Sequence, residues 1–411
     1  MLKAFIDLML NSKYTSSFIE MGPNSTQICE KTSYPRDMAE MLKGLTFADV
    51  TIRPQRTSVS PEEVNLRHEV LKGLITEIPI LSAPMETVWS IELSQSLSDF
   101  GGVAPICRDL GLSDIESVSR KMKEYRSKRE FLIKGRKLNS PPIIATSSPF
   151  DKSRIKFLLS NKDIDYLILD SVQPFNDTVI RNVEQFSEEY PDKIVVGNIA
   201  TEEAAKEFLK YKVAGLKVGL GPGSICTTRK VTGIGVPQLQ AISEVAELAR
   251  PLEIPVIADG GIRELGDIAK ALAAGASSVM MGRMFSGTLE SPSEVKNVEG
   301  KKYKFYAGST YNTVEYSSES VHCQFSSFLE ELGKSNHRVE GVSGYVPYAG
   351  PVEVVAFQIK RSLSASLAFV GAKNIRDFWS KARFIKMSPA SFNEGNSHSI
   401  EIVTHRNKIF S

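Results

Sequence analysis

The chain has 411 residues, which is enough for one large domain or two ordinary ones with a well-buried core. Its net charge of +2, with 24% charged and 42% hydrophobic residues, is typical of a soluble globular protein and gives no indication of nucleic-acid binding. The cysteines, Cys29, Cys107, Cys226 and Cys323, lie far apart without a CxxC pair or zinc spacing, so we expect free thiols and a cytoplasmic protein.

The first residues, MLKAFIDLML, are apolar, but this run is short, carries two charges and lacks a small-residue cleavage site after it. A signal peptide is therefore not expected, and no later stretch has the length and apolarity of a membrane span. Glycine and proline interrupt the polar residues that follow. We interpret residues 1–41 as an extension without an assigned fold, and residues 42–411 as one catalytic domain.

From residue 45 onward, short apolar runs alternate with longer amphipathic segments, such as 202–211 and 264–274, whose apolar spacing is helical. Repeated alternation of strand and helix predicts an α/β fold, a closed (β/α)8 barrel of parallel strands, with a doubly wound open sheet as the structural alternative. The eight predicted strands span residues 78–83, 103–106, 142–145, 166–169, 194–196, 214–218, 255–258 and 277–281.

Polar residues follow these runs where barrel enzymes carry their chemistry, on the loops at the C-terminal ends of the strands. Each alone has a structural explanation, because glycine is favoured at loop starts and aspartate often caps a helix. Together they predict a site at one mouth of the barrel. In chain order they are Met85, Asp170, Ser171, Asn198, Cys226, Asp259, Gly260, Gly261, Gly282 and Arg283.

The segment 215–238, GLKVGLGPGSICTTRKVTGIGVPQ, is the most informative of these loops. Glycines around Pro222 allow a sharp turn that brings backbone N–H groups close to a ligand, with Ser224 as a further donor, and such loops hold phosphates or metal ions. Cys226 follows beside Arg229 and Lys230, whose charge favours a thiolate nucleophile. The structural alternative is a small buried apolar side chain, which is the commoner role of a lone cysteine.

The run GPGSICTTR resembles the catalytic cysteine loop of the inosine-5'-monophosphate dehydrogenase and guanosine monophosphate reductase superfamily, and the resemblance extends from about residue 45 to 400. It implies the barrel and a covalent mechanism in which Cys226 attacks C2 of a purine nucleotide. Dehydrogenases pass a hydride to NAD and hydrolyse the thioimidate to xanthosine monophosphate, whereas reductases displace ammonia from guanosine monophosphate and use NADPH. Thr228 would lie beside the water or ammonia, and Glu340, in HRVEGVSGYVPYAGP, would relay protons.

The resemblance also implies a purine-nucleotide site. Glycines and helix N-termini in DGGIR and MGRMFSGT would hold the 5'-phosphate together with Ser224, and Asp259 would accept from the ribose hydroxyls. Arg283 stands where dehydrogenases usually have serine, so it either pairs with the phosphate or points to solvent. The predicted substrate-binding residues are Met85, Asn198, Ser224, Asp259, Gly261, Gly282, Arg283, Tyr306 and Gly308.

Asp170 and Ser171 match the family position that holds the nicotinamide ribose, although a helix cap is the alternative role. With Asn198, Gly219 and Gly221 they form the predicted cofactor-binding set. The tail FNEGNSHSI resembles the segment that completes a potassium site between subunits of a homotetramer. Its predicted ligands are backbone oxygens of Gly221, Gly223 and Cys226, with Glu394, Gly395 and Asn396 of a neighbouring subunit.

The choice between dehydrogenase and reductase rests on mixed signals. SAPMETV, GTLESPSE, VPYAGP, a long flap at about 306–346 and the tail at about 390–411 resemble dehydrogenases. The flap, however, reads SSESVHCQFSSF and has no Arg-Tyr pair to activate the hydrolytic water, so His322 or Arg338 would have to replace it. RKVTGIGVPQL resembles the reductases, which need no such activation.

A further departure from most dehydrogenases is the absence of an inserted pair of regulatory CBS domains. Residues 127–139, rich in lysine and arginine, occupy that place and are interpreted as a simple linker. The resemblance therefore favours an inosine monophosphate dehydrogenase without CBS domains, with a guanosine monophosphate reductase as the second reading. A non-catalytic homologue that only binds purine nucleotides is the third.

Overall fold

The computed structural model of the protein describes residues 38–308 and 341–396. In these ranges the strands are β1 (Val50–Ile52), β2 (His68–Leu71), β3 (Leu74–Thr76), β4 (Ile80–Ser82), β5 (Phe131–Ile133), β6 (Arg136–Leu138), β7 (Ile144–Ser147), β8 (Tyr166–Asp170), β9 (Ile194–Ile199), β10 (Gly215–Val218), β11 (Val256–Asp259), β12 (Ser278–Met281), β13 (Val295–Val298), β14 (Lys301–Ala307), β15 (Ser343–Pro347) and β16 (Phe384–Lys386).

The α-helices in the same ranges are α1 (Met38–Met41), α2 (Ile91–Asp99), α3 (Leu112–Glu124), α4 (Lys152–Ser160), α5 (Asp177–Glu189), α6 (Glu202–Phe208), α7 (Thr228–Thr232), α8 (Gln238–Ala249), α9 (Leu265–Ala273), α10 (Arg283–Ser286), α11 (Val352–Phe369), α12 (Ile375–Lys381) and α13 (Pro389–Glu394). Short 3₁₀ turns lie at Phe47–Asp49, Pro61–Glu63 and Arg250–Leu252. None of the described helices combines the length and apolarity needed to cross a bilayer.

A curled parallel sheet forms the centre of the molecule. Its strands follow the order β4-β12-β11-β10-β9-β8-β7. The gap between β7 and β4 is closed by residues 103–106, because Val103 N–H donates to Ile80 O at 3.1 Å and Ile106 N–H donates to Ile144 O at 2.8 Å. The predicted barrel of parallel strands wrapped in helices is therefore confirmed.

The second of the eight predicted strands, residues 103–106, does not form a regular strand. It makes a single parallel bridge, between Val103 and Leu81. Pro105 has no N–H group, so it cannot extend the hydrogen-bond ladder beyond that bridge. The position in the barrel was predicted correctly, but the regular structure there was not.

Local sequence signals explain where the outer helices begin. Asp151, Asn176 and Thr201 precede α4, α5 and α6, and each side chain accepts a hydrogen bond from the N–H three residues on. These side chains satisfy donors that a helix leaves unpaired at its start. The periodicity that predicted helices at 202–211 and 264–274 corresponds to α6 and α9, which end slightly earlier than predicted.

The barrel is filled by apolar side chains and closed at its N-terminal end. A small sheet in the order β2-β3-β5-β6 lies there, and it contributes Leu71, Leu74 and Phe131 to the interior. We call this small sheet the floor of the barrel. The Tyr166 hydroxyl donates to Lys72 O at 3.0 Å and so connects a barrel strand to the floor. Because the N-terminal end is closed, ligands have access at the opposite mouth.

The interpretation of residues 127–139 as a simple linker is wrong. β5 and β6 form a hairpin, and Leu74 of β3 lies opposite Ile133 of β5, so the segment is part of the floor. Lys134 and Gly135 both have positive φ, 48° and 80°, as a tight type I′ turn requires. The Lys-Gly pair directly after the short apolar run of β5 was the signal for this hairpin.

A three-stranded antiparallel ribbon, β13-β14-β15, carries the two ends of the predicted flap. Tyr306 of β14 lies opposite Gly344 of β15, at the edge of the barrel mouth. Glu340, His322 and Arg338 lie outside the described residues, as do residues 1–37 and 397–411. Met38 of α1 is buried in the core, so the end of the predicted extension packs on the barrel.

Candidate active site

A cavity of about 530 Å³ opens at the C-terminal ends of the barrel strands. This volume lies within the usual range for small-molecule sites, and its position is the one expected for a barrel enzyme. Many of the predicted residues meet in its wall although they are far apart in sequence. They are Met85, Asp170, Ser171, Asn198, Gly219, Gly221, Gly223, Cys226, Thr228, Asp259, Gly282, Tyr306 and Gly308.

Cys226 lies in the loop between the sixth barrel strand, β10, and helix α7. Its side chain is exposed and makes no disulfide, so the alternative of a small buried apolar residue is wrong. The Cys226 Sγ atom lies 3.2 Å from Thr228 Oγ1, and the Cys226 N–H donates to Gly223 O at 3.1 Å. Cys107 is also free but buried, and burial raises the pKa of its thiol to about 11. Cys29 and Cys323 lie outside the described residues.

Arg229 supports this loop from beneath. Its Nε donates to Leu220 O at 2.9 Å, and its Nη2 donates to Val236 O. The arginine packs so closely that a Cβ at Gly221, where φ is +78°, would lie 2.6 Å from Arg229 Cγ. The sequence predicted that the charge of Arg229 favours the thiolate, which stays a prediction, and the structure adds a role in holding loop carbonyl oxygens.

Lys217 is the main residue that the sequence analysis missed. It lies on β10 with its side chain 3% exposed, and its Nζ is 2.7 Å from Asp170 Oδ1 and 2.8 Å from Asp259 Oδ2. Burial alone lowers the pKa of Lys217, but the charges of the two aspartates outweigh burial and hold that pKa above its usual value. The ammonium group therefore joins the two carboxylates that had been predicted to bind cofactor and substrate.

Asn198 completes this arrangement. Its side-chain Nδ2 donates to Asp259 Oδ2 at 2.9 Å and to Gly219 O at 2.8 Å. Asp170 is the last residue of β8, and helix α5 is capped by Asn176, so Asp170 does not act as the helix cap considered from the sequence. Both aspartates thus face the cavity with one oxygen held by Lys217.

Arg108 and Asp109 also line the cavity and had not been predicted. The Arg108 Nε atom lies 3.0 Å from Asp109 Oδ1, and its Nη1 atom lies 3.9 Å from Asp170 Oδ2. Burial by itself lowers the pKa of Arg108, but its pairing with Asp109 and the charge of Asp170 produce a net rise. The signal was their position just after the predicted second strand.

One wall of the cavity is shaped by close contact between Gly282 and Tyr306. A Cβ at Gly282 would lie 2.4 Å from Tyr306 Oη and 3.4 Å from Met85 Sδ. The observed position of the Tyr306 side chain therefore requires glycine at residue 282. A hydrogen bond joins Tyr306 to the Ser224 side chain, and burial together with the charge of Asp259 raises the pKa of the Tyr306 phenol. Tyr306 is therefore a neutral hydrogen-bonding group.

The returning end of the flap is attached to the cysteine loop by two hydrogen bonds. Gly341 N–H donates to Thr227 Oγ1 at 2.7 Å, and Val342 N–H donates to Ile225 O at 3.0 Å. The two acceptor residues, Ile225 and Thr227, are the sequence neighbours of Cys226 on either side. Glu340, the predicted proton relay, immediately precedes Gly341 but lies outside the described residues.

Several predicted residues lie beside the cavity or away from it. Ser224 reaches the site through Tyr306, and Gly261, with φ +81°, packs against Pro222. Arg283 begins α10 and its Nη1 donates to Arg263 O at 3.4 Å in an exposed hydrogen bond, and both of its roles, pairing with phosphate or pointing to solvent, stay predictions. The predicted cation ligands Glu394, Gly395 and Asn396 are exposed at the end of α13.

A closed parallel barrel with an exposed thiol and paired carboxylates at its C-terminal mouth has the architecture of the barrel enzymes that bind and convert small molecules there. This class is wide, because one fold carries many chemistries on its loops. The residues of the mouth, rather than the fold, therefore decide which member of the class this chain resembles.

Comparison with known proteins narrows the class to one family. The family model described as "IMP dehydrogenase / GMP reductase domain" matches residues 44–398, so the chain belongs to that family. The inosine-5'-monophosphate dehydrogenase of Borreliella burgdorferi is 32% identical over 401 residues, which cover 88% of this chain and 98% of the relative. That of Cryptosporidium parvum is 33% identical over 390 residues, covering 88% and 96%. That of Methanocaldococcus jannaschii is 41% identical over 303 residues, covering 72% of this chain and 59% of the relative.

Proposed function

We propose that this chain oxidises inosine monophosphate to xanthosine monophosphate, an NAD-dependent step in guanine nucleotide biosynthesis. The observation that carries the proposal is the exposed Cys226 thiol in the barrel mouth, 3.2 Å from the Thr228 hydroxyl. A thiol nucleophile with a neighbouring hydroxyl suits addition to an electron-poor purine carbon followed by hydrolysis. The dehydrogenase name carried by the similar relatives supports the same substrate.

Cys226 is the group that we propose forms the covalent bond. Its sulfur attacks C2 of the hypoxanthine ring, and the hydrogen at C2 departs as a hydride. Water then attacks the same carbon, the carbon–sulfur bond breaks, and the thiol is restored as the oxygenated purine leaves. Thr228 lies near enough to Cys226 to hold this water, and Glu340 remains the predicted proton relay.

The purine nucleotide itself is held in this proposal by the opposite wall. Asp259 accepts hydrogen bonds from the ribose hydroxyls through the oxygen that Lys217 leaves open. Tyr306 and Ser224, already joined to each other, together with backbone N–H groups near Gly282, bind the 5'-phosphate. Phosphate and ribose would thus be fixed on either side of the cavity, with the base over Cys226.

The cavity wall beside Asp170 and Ser171 suits a dinucleotide. Gly219 lines this wall with φ at +151°, and a Cβ there would lie 2.3 Å from Asp259 O, so the wall depends on glycine to pack against the end of β11. Asp170 offers a carboxylate to a ribose diol and Ser171 a hydroxyl. NAD, when bound, supplies the hydride acceptor, while these residues place it against the purine.

A potassium ion is a further part of the proposal. Gly221, Gly223 and Cys226 lie within one short loop, and backbone carbonyl oxygens are the kind of ligand that suits a hard monovalent cation. The exposed Glu394, Gly395 and Asn396 are accessible to a neighbouring subunit. We therefore propose a homotetramer, located in the cytoplasm, in which this loop and a neighbour's tail share the ion.

The reductase reaction remains the second candidate, because RKVTGIGVPQL resembles reductases and the flap sequence lacks an Arg-Tyr pair. A paired assay on purified protein separates the two. Nicotinamide absorbance is followed with inosine monophosphate plus NAD, and with guanosine monophosphate plus NADPH, each with and without potassium. We expect potassium-dependent NADH formation in the first reaction. NADPH consumption in the second alone would establish a reductase.

The role of Cys226 is tested by a matched pair of variants. Cys226→Ala should reduce turnover to background while nucleotide binding persists, and Cys107→Ala, which removes the buried thiol, should leave turnover unchanged. Mass spectrometry of the parent enzyme during turnover should show a nucleotide adduct at Cys226. Retained turnover in Cys226→Ala would refute the mechanism, and tight nucleotide binding without turnover or adduct would identify a non-catalytic homologue.

A further inference from the structure

The buried lysine of β10 lies at the junction between the two halves of the cavity. The distances from Lys217 Nζ to Asp170 and Asp259, 2.7 and 2.8 Å, are nearly equal, so one ammonium group serves both carboxylates. The two aspartates end different strands, β8 and β11, and β9 and β10 lie between them in the barrel. Lys217 therefore bridges two carboxylates that lie on strands separated by two others in the barrel.

The position of the ammonium group is tightly constrained. The Lys217 side chain is 3% exposed, and a Cβ at Gly197 of the adjoining strand would lie 2.5 Å from Lys217 Cβ. Asn198 holds the same oxygen of Asp259 at 2.9 Å. Burial also keeps solvent from screening the charge, so a change in one carboxylate acts strongly on the ammonium and, through it, on the other.

We propose that Lys217 is a positioning residue that links the Asp170 side of the cavity to the Asp259 side. Through it, the charge on one carboxylate sets how strongly the other carboxylate accepts hydrogen bonds. The inference rests on the proposed function, because it assigns the ribose of the purine nucleotide to Asp259 and that of the dinucleotide to Asp170. It requires no movement of the backbone, since the shared ammonium already contacts both groups.

This linkage predicts an effect across the cavity. In Asp170→Asn the whole charge of Lys217 acts on Asp259, which becomes a weaker acceptor for ribose hydroxyls. Binding of inosine monophosphate, measured by titration calorimetry without any dinucleotide, should weaken about fivefold, in the range of coupling between groups of one ion-pair network. In a Lys217→Met background the same Asp170→Asn change should alter nucleotide affinity less than about twofold, because the connection is gone.

Asp109→Asn is the matched control, because Asp109 also lines the cavity and loses the same charge, but it pairs with Arg108 and reaches Asp170 only through the 3.9 Å contact between Arg108 and Asp170. It should change nucleotide affinity less than about twofold. If Lys217→Met does not fold, Lys217→Arg, which keeps the charge, should retain the Asp170→Asn effect, and the Asp170→Asn and Asp109→Asn comparison is decisive by itself.

The outcomes separate two kinds of failure. A parent protein that does not bind inosine monophosphate would refute the proposed function and this inference with it. Nucleotide binding that is unaffected by Asp170→Asn, or equally weakened by Asp109→Asn, would refute only the linkage. An Asp170→Asn effect that persists at full size in Lys217→Met would also overturn it, because the coupling would then not pass through Lys217.

Discussion

Lys304 of β14 offers a stability prediction that can be worked out from its contacts. Its side chain is fully buried, and its Nζ donates to Thr288 O and Ser291 O, each at 2.7 Å, and to Leu289 O at 3.2 Å. The Lys304 ammonium group thus holds three backbone carbonyl oxygens of the loop that follows α10. It also lies two residues before Tyr306, so it attaches the ribbon to the wall of the cavity.

We expect Lys304→Met to destabilise the protein by about 2 to 3 kcal/mol. Methionine keeps the apolar stem, so the loss is confined to the hydrogen bonds, and two short bonds from a charged donor contribute roughly 1.5 kcal/mol each. Burial lowers the pKa of Lys304, and relief from holding a desolvated ammonium offsets part of that loss. The carbonyl oxygen of Ser291 is the acceptor most affected, because Lys304 is its hydrogen-bond donor among the described residues.

Urea unfolding followed by circular dichroism measures this change, and hydrogen exchange of residues 287–307 locates it. Lys301→Met is the matched control, because Lys301 lies on the same strand with an exposed side chain and should stay within about 0.5 kcal/mol of the parent. Exchange should accelerate in the loop and at Tyr306 only in Lys304→Met. A loss below about 0.5 kcal/mol with unchanged exchange would refute the reasoning.

Three further predictions concern the flap, the cavity wall and the floor. Thr227→Val removes the acceptor for Gly341 N–H, worth about 1 kcal/mol, so amide exchange at Gly341 should rise about fivefold while Thr227→Ser preserves protection; equal exchange in both would contradict the anchor. Gly282→Ala places a Cβ 2.4 Å from Tyr306 Oη, so nucleotide affinity should fall by about 1 to 3 kcal/mol in calorimetry, and unchanged affinity would show that Tyr306 yields without cost. Burial, aided by Arg376, lowers the pKa of His68 from 6.5 to about 3, so only the unfolded chain takes up this proton as the pH falls from 6.5 towards 3. Relative to His68→Leu, urea stability should therefore decline by up to about 1.4 kcal/mol per pH unit in that window, and parallel pH profiles would contradict it.

The sequence by itself determined the order of the barrel strands and the location of the site. Buried parallel strands appear as short apolar runs, and their C-terminal ends meet at one mouth, so the residue after each run is a candidate without further information. This is why Cys226, Asp170 and Asp259 were predicted together from distant segments. The run GPGSICTTR indicated the family as well, because a match of this length specifies one particular loop, which overall composition cannot do.

The tertiary structure alone decided how those residues act on one another. Lys217 looked like one residue of an apolar strand, and its role appears only when two aspartates, 47 residues before and 42 residues after it in the numbering, approach within hydrogen-bond distance. The same holds for Gly282 beside Tyr306 and for Lys304 among three carbonyl oxygens. Local patterns encode which face of a strand is buried, whereas pairing of charges across a closed barrel depends on strand register, which no single segment contains.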